Sequence, residues 1–446
     1  MTKDMTHGSP IHLILKFTIP LIFGNLFQQF YSMVDTIIVG RFLGKEALAA
    51  VGSTGSLNFL IIGFCLGLCS GFAIPVSQQF GAKNFDSLRR FVGNIIWLTA
   101  GASVFFTVVT VLLCRPMLEW MNTPSDIIDQ AYLYIVIIFA GIPAIFLYNI
   151  QAALLRALGD SRTPVIFLVI ASFLNIGFDL LLVLVIPLGV AGASVATVLA
   201  QLLSGIACFI FIVKKFPMLH ISRHDLKFSR EHAAGLCSVG IPMGLQSSIT
   251  AVGSILLQTS VNSLGSTIVA SVTAASRLYM FFACAFDAMG IAMSTYGGQN
   301  IGARKIDRLS PGLRAGMIIG SAYSIIALII VFFFGKPLVT LFVDSSEVEI
   351  IENAYQFMLI CASFFIPLAG VNIFRLLIQG MGYSKMAIFA GVCEMFARGL
   401  TGLFLVPAFG FIAACFASPI AWVMADLFLV PAYFYIMRNL KKWGTM

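Results

Sequence analysis

From Ala47 to Ala82 the chain carries no charged residue, and further uncharged stretches run from Phe91 to Cys114, Leu180 to Val213, His232 to Ser276, Ala315 to Gly335 and Gly399 to Ala425. A helix needs about 20 mostly apolar residues to cross a bilayer, so the longest of these stretches must hold more than one crossing or one overlong helix. The hydrocarbon layer offers no water to a backbone amide, and long unbroken apolar runs satisfy their amides as helices. With 59% hydrophobic and 10% charged residues in 446, the composition excludes an ordinary soluble protein. These runs predict an all-α polytopic membrane protein of twelve transmembrane helices, the first at 13–39 and the last at 411–436.

The chain is also written twice. Gln78-Gln79-Phe80-Gly81-Ala82-Lys83-Asn84-Phe85-Asp86-Ser87-Leu88 returns as Gln299-Asn300-Ile301-Gly302-Ala303-Arg304-Lys305-Ile306-Asp307-Arg308-Leu309. In the same register Ile19-Pro20 matches Ile241-Pro242, Leu43-Gly44 matches Leu264-Gly265, and Leu158-Gly159-Asp160-Ser161-Arg162 matches Met381-Gly382-Tyr383-Ser384-Lys385. A repeat of this length is the size of a transporter half. Six spans per half is an even number, so the two pseudo-symmetric six-helix lobes share one orientation, with an expected cavity between them. The predicted boundaries are 1–213 for the first lobe, 214–235 for a basic cytoplasmic linker and 236–446 for the second lobe.

A net charge of +8 would suggest nucleic acid or acidic partners if it formed one patch, but it is spread over alternate loops. Lys83, Arg89 and Arg90 flank one loop, Arg156 and Arg162 another, and Lys214, Lys215, Arg223, Lys227 and Arg230 fill the linker. The intervening loops are acidic, with Glu119, Asp126 and Asp129 in one and Asp344, Glu347, Glu349 and Glu352 in its counterpart. The positive-inside rule then places both termini and the linker in the cytoplasm. The first apolar run reads as a retained helix, not a signal peptide. Nine single cysteines within spans read as packing residues; His220 and His224 of the linker read as surface groups and not a metal pair, with attraction of the segment to anionic lipid headgroups as a secondary role.

Ionisable groups at membrane depth are costly, so each is a functional candidate. Here they are Asp35, Asp179, Arg277, Asp287, Arg375, Glu394, Arg398 and Asp426. At a rise of 1.5 Å per residue, Asp35 lies roughly 8 Å, and Asp179 and Thr197 each roughly 10 Å, below the external ends of their spans. Asn175 shares the face of Asp179 one turn away. Two carboxylates, an amide and a hydroxyl are hard oxygen ligands suited to Na⁺, and close, desolvated carboxylates can carry H⁺ instead. The residues also allow a plainer arrangement, with Asp35 solvated or paired with Arg41 and Asp179 hydrogen-bonded to the sixth span. In the second half, Glu394 and Arg398 are expected to neutralise each other at i and i+4. Asp287 is a candidate for attracting a cationic substrate.

The chain resembles the multidrug and toxic compound extrusion family of cation-coupled antiporters. The resemblance covers nearly the whole length and rests on Asp35-Thr36-Ile37-Ile38-Val39-Gly40-Arg41, the twin Gln-x-x-Gly-Ala-basic segments, Arg156-Ala157-Leu158-Gly159-Asp160 and Leu174-Asn175-x-x-x-Asp179. It implies two lobes arranged in a V in a bacterial cytoplasmic (inner) membrane. It also implies a cation site at Asp35, Asn175, Asp179 and Thr197, with Gln28 and Tyr31 lining the cavity and Pro20 associated with bending of the first helix. Some members place a glutamate in the seventh span where this chain has Thr250, which argues against a second cation site of that kind.

The expected activity is secondary multidrug efflux by alternating access. Amphipathic, often cationic organic compounds and drugs would leave against Na⁺ or H⁺, from a monomer with no cofactor. Two alternatives stand beside it. A flippase of lipid-linked saccharides should line its cavity with several Arg or Lys, and a membrane subunit of an ATP-driven exporter would borrow its nucleotide site from another chain. The sequence has no phosphate-binding Gly-x-x-x-x-Gly-Lys-Ser/Thr loop and no His-Glu-x-x-His, so an enzyme is not expected.

Overall fold

The computed structural model describes residues 2–444. Among these the regular structure is entirely helical, in the order α1 (Pro10–Ile38), α2 (Lys45–Ser53), α3 (Gly55–Gly81), α4 (Phe85–Trp120), α5 (Ile128–Ala140), α6 (Ile142–Ala157), α7 (Arg162–Asp179) and α8 (Val190–Lys215). There follow α9 (Arg230–Asn262), α10 (Ser266–Gly302), α11 (Leu309–Val339), α12 (Val348–Ser363), α13 (Phe365–Gly380), α14 (Ser384–Leu400), α15 (Val406–Phe409) and α16 (Phe411–Gly444). Ten helices are long and apolar enough to cross a membrane. The pairs α5–α6 and α12–α13, bent by 49° and 52°, bring the number to the expected 12 when each counts as one span. Both breaks have a local cause: Pro143 and Pro367, just past the junctions, lack the N–H that would continue the helix.

The repeat is visible in the backbone. Lys83 and Arg304, at equivalent motif positions, both adopt the left-handed conformation with φ of 57°. Each follows the end of a helix, where Asn84 N bonds Gln79 O at 3.0 Å and Lys305 N bonds Asn300 O at 2.9 Å. This six-to-one closure is a helix stop normally given to glycine. Positive φ also pairs Gly44 with Gly265, Gly159 with Gly382 and Gly189 with Gly410. Wide, π-type turns follow the same pattern at Leu180–Val185 and Thr401–Leu405, and a third occupies Val39–Leu43.

Contacts divide the chain into two units. Unit 1 holds the residues up to Asp4 together with Phe23–Gly244, and unit 2 holds Met5–Ile22 with the residues from Leu245 onward. The division differs from the one read in the sequence in two places. Residues 214–235 and the start of α9 belong to unit 1, whereas the start of α1 belongs to unit 2. Both crossovers fall two residues after a proline of the repeated Ile-Pro pair, Pro20 and Pro242.

Unit 1 is centred on Leu68, Phe72, Leu88, Phe139, Phe146, Leu155 and Phe216. Its α3 and α9 meet backbone to backbone, since a Cβ on Gly71 would lie 2.5 Å from Gly240 Cα. Glycines one turn apart on both helices, Gly67 and Gly71 facing Gly240 and Gly244, permit the close approach that membrane helices favour. The linker is held to the same unit: Ser229 N donates to Asn94 Oδ1 at 2.9 Å, and Trp97 Nε1 donates to Leu226 O at 2.8 Å.

In unit 2 the repeated motif anchors the start of the chain. Met5 N donates to Gln299 Oε1 at 2.8 Å, Asn300 Nδ2 to Met5 O at 3.2 Å, and Arg308 Nη2 to Gly8 O at 2.8 Å. A charged cluster lies deeper. Glu394 accepts from Arg398 Nη2 at 3.3 Å, as its spacing predicts, and also from Arg375 of α13. All three side chains are buried. Val104, Phe105, Val108 and Leu112 on α4, and Ile318, Ile325, Ile329 and Phe332 on α11, form exposed apolar stripes suited to lipid.

Candidate functional site: an acid pair above a polar cavity

Asp35 lies in the last turn of α1, and Asp179 is the last residue of α7. Each is followed along its chain by a π-type turn, Val39–Leu43 or Leu180–Val185, and these two turns touch one another and α8. Such turns recur at functional sites, where one extra residue within an i→i+5 bond redirects side chains from the regular helix face. Contact between α8 and the second turn requires Gly192, where a Cβ would sit 2.6 Å from Leu182 O. Ile38, Val39, Val183, Val190 and Ala193 close over the far side as a separate apolar cluster. Burial of this cluster holds the ends of α1 and α7 together against α8.

The result is a cluster of oxygen ligands. Asp35 and Asp179 are paired side chain to side chain, so the partner of Asp35 is Asp179 and not Arg41. Asp179 is fully buried and Asp35 partly so. The Asn175 amide is best oriented with its nitrogen donating to Asp179 Oδ2 at 3.2 Å and its oxygen accepting from Thr197 Oγ1 at 3.3 Å. The Thr197 hydroxyl has one proton to give, to that oxygen or to Ala193 O at 3.1 Å, and Thr197 N lies 3.2 Å from the same Asn175 oxygen. One oxygen of each carboxylate, Asp35 Oδ1 and Asp179 Oδ1, is buried without a hydrogen-bond partner. Two apposed carboxylates, one of them fully buried, repel each other until a proton neutralises one or a cation joins both, and the orphaned oxygens are where either would bind. Among the described residues no group of three or more His, Cys, Asp or Glu could hold a metal; a mixed set of two carboxylates, an amide and a hydroxyl fits a small monovalent ion.

Through Asp35 the pair opens onto a cavity of about 310 Å³ within unit 1, room for a cluster of waters. Gln28, Tyr31, Asp35 and Thr197 line it, together with Asn25, Asn58, Tyr134, Asn149, Arg156 and Gln201. Along α1 the lining runs from Asn25 to Asp35, a length of about 15 Å at helical rise. A recess of about 10 Å³, the size of a single water, extends beside Asn175 and Thr197.

The structure therefore brings together Asp35, Asn175, Asp179 and Thr197, with Gln28 and Tyr31 along the adjoining wall. Pro20 and Asp287 are placed elsewhere, in unit 2, and neither lines this cavity. Pro20 lies within α1, which runs unbroken from Pro10 to Ile38. Asp287 is exposed on α10 and shares its surroundings with Arg375 and Tyr279. Thr250 donates to Gln246 O at 3.0 Å, an ordinary helical bond, while Gln246 accepts from Gln379 at 2.8 Å. Sequence reasoning missed Asn58, Tyr134, Asn149 and Gln201 as lining residues and assigned Arg156 to a loop. The polarity of these residues inside apolar runs was the available signal.

A multi-pass helical membrane protein with a duplicated half and an acid pair above an internal polar cavity is a transporter in architecture. Its family follows from comparison: the model described as MatE matches residues 20–181 and 242–405, one stretch in each copy of the repeat, and the chain belongs to that family. The protein described as "Probable multidrug resistance protein YpnP" of Bacillus subtilis is 30% identical over 83% of this chain and 82% of its own length. "Probable multidrug resistance protein YoeA" of the same organism is 28% identical over 78% and 76%. Among solved structures, "Crystal structure of MATE in complex with MaL6" matches with a TM-score of 0.92 at 22% identity, over 99% of this chain and 100% of that one, a likeness of fold.

Proposed function

We propose that this protein is a secondary active exporter of small organic compounds, driven by Na⁺ or H⁺ entering through the Asp35–Asp179 pair. The observation that carries this reading is the pair itself: two apposed carboxylates, each with a buried, unsatisfied oxygen, at one end of a cargo-sized polar cavity. Membership of the MatE family and relatives described as multidrug resistance proteins support the same reading.

In the proposed cycle the cation loads the acid pair from outside and favours a state in which bound cargo is released outward. Return to the inward-open state frees the cation and admits new cargo. Export requires only that cation and cargo prefer different states. The loop charges orient the chain with both termini in the cytoplasm of a bacterial cell and the acid pair toward the exterior. One arginine among the cavity-lining residues suits organic cargo better than the pyrophosphate of a lipid-linked saccharide, for which several cations would be needed.

The test is transport by the purified protein in proteoliposomes without nucleotide, with a Na⁺ or pH gradient imposed in turn. Ethidium movement against its own gradient under one of the two supports the antiport reading. Movement only when ATP and a second subunit are supplied refutes it.

A further inference from the structure

The linker lies on unit 1 as a fixed surface whose outward charges are of one sign. Its backbone is seated on the first turns of α4: Ser229 N bonds the buried Asn94, Trp97 Nε1 bonds Leu226 O, and a Cβ on Gly93 would lie 2.1 Å from Asp225 O, so only glycine lets the two segments meet there. Between Lys214 and Arg230 the chain carries five Lys or Arg and one acid. The acid, Asp225, is buried, with its carboxylate accepting from Ser222 N and Oγ and lying 3.9 Å from Arg89 Nε. All five cations, Lys214, Lys215, Arg223, Lys227 and Arg230, are exposed, and among the described residues none of them is joined in an ion pair. The same segment lies at the edge of the apolar layer. The uncharged run of α4 starts at Phe91, and Trp97 stands six residues, about 9 Å, along it, a depth at which Trp rings sit at a bilayer interface. Trp97 is 53% exposed, and Phe228, two residues past the carbonyl that Trp97 holds, is 58% exposed.

We infer that this surface is a binding site for anionic phospholipid, with Arg223, Lys227 and Arg230 against headgroup phosphates and the rings of Trp97 and Phe228 against the upper acyl chains. The inference goes beyond the exporter reading and stands whether or not that reading holds. Basic loops are general on one side of a membrane protein, but this one differs from a solvated basic loop in three respects. Its single carboxylate is withdrawn into the fold, which leaves the cations uncompensated. Its backbone is held by hydrogen bonds to α4, so the cations are presented without the entropy cost of ordering a loose segment. Its exposed rings lie at membrane depth, where an inorganic anion has no use for them and a lipid engages rings and cations together. Five cations fall within the about four to eight that draw anionic lipid when they lie beside a spanning helix. Lipid bound there tethers the linker, and with it the first turns of α4, at the level of the headgroups.

Dioleoylphosphatidylglycerol and dioleoylphosphatidylcholine, alike in their chains and different in charge, are titrated onto the full-length protein in neutral detergent, and bound lipids are counted by native mass spectrometry. The wild type is expected to bind the anionic lipid about 10-fold more tightly or better. Each cation near the surface contributes about fivefold, so the triple variant Arg223→Gln, Lys227→Gln, Arg230→Gln is expected to weaken the anionic lipid by about 10-fold or more after screening by salt, with the choline lipid changed less than about twofold. A control removes the same charge from exposed positions of unit 2, Arg304→Gln, Lys385→Gln, Arg438→Gln, and is expected to change either lipid less than about threefold. Equal losses in the two triple variants, which would mean that net charge alone is read, overturn the proposal, as does a wild type without preference. Displacement of the lipid by inorganic phosphate in large excess would reveal a simple anion site and overturns it too. Phe228→Ala is expected to weaken both lipids alike, and no effect on either overturns the seat given to the rings. Melting in detergent supplies the folding control; if the linker triple variant does not fold, Lys227→Gln alone is read in its place, with about fivefold expected and no change overturning the proposal.

Discussion

The acid pair can be dissected by a double-mutant cycle on Asp35→Asn and Asp179→Asn. Each carboxylate offers one unsatisfied buried oxygen to the shared ion, and a hydrogen bond or ligand contact to a charged group contributes about 1.5–3 kcal/mol. Taking about 2 kcal/mol, each single substitution lowers apparent cation affinity about 30-fold. Independent carboxylates would make the double variant worse by about 4 kcal/mol, close to 1,000-fold. Apposed side chains serving one ion are not independent, and the double variant is expected to fall near the singles, with a coupling energy of about 1–2 kcal/mol. The assay is ethidium efflux from proteoliposomes as a function of imposed Na⁺ concentration or of pH, whichever gradient drives the wild type. Melting in detergent supplies the folding control. Replacing a desolvated carboxylate by its amide removes a burial cost and keeps an acceptor for Asn175, so Asp179→Asn is expected to melt no lower than the wild type. Additive losses, or wild-type cation dependence in either single variant, would refute a shared site. A large fall in melting temperature would show that the carboxylate serves the fold instead.

Two further outcomes concern the fold. Glu394→Gln removes the carboxylate paired with both Arg375 and Arg398 and leaves Arg375 only the nearby charges of Asp426 and Asp287; it is expected to cost about 3 kcal/mol, read as a lowered melting temperature. Replacing Arg375, Glu394 and Arg398 together by Met, Leu and Met recovers most of it. Asp225 in the linker accepts from Ser222 Oγ at 2.6 Å and Ser222 N at 2.9 Å, bonds that hold its carboxyl below the usual carboxylate range, with Arg89 and His224 adding to the effect. A depressed value means that the stabilisation is complete above the unfolded-state pKa of about 3.9 and disappears as pH falls through the folded value. Asp225→Asn should therefore lower the melting temperature at neutral pH, and the gap from wild type should close in acid; a gap independent of pH would refute the assignment.

The crossings and the duplication were legible because lipid imposes a coarse code of long apolar runs and because polar motifs stand out against them. The grouping of Asp35, Asn175, Asp179 and Thr197 was legible for a related reason, since depth along a spanning helix can be counted from its end. Other features depend on tertiary contact and have no such code. Glu394 and Arg398 advertise their pairing by spacing, but Arg375 reaches the same carboxylate from another helix, 19 positions away in sequence. The Gln-x-x-Gly-Ala-basic motif was conspicuous, yet its role as a helix stop with a left-handed Lys83 or Arg304 contradicts the usual preference for glycine and could not be read from residue type. Arg156 looked like a loop cation because it neighbours Gly159 and Arg162, whereas α6 continues through it to Ala157. The short helix α2 and the π-type turns after both acids left no mark in the hydropathy pattern.

The exchange of opening segments has a genetic consequence. Cut the gene at the linker, and each product would carry one full copy of the repeat but lack the stretch that its bundle uses at the start, Met5–Ile22 in one case and the beginning of α9 in the other. Neither product should be whole by itself, and the two made together in one cell should complement.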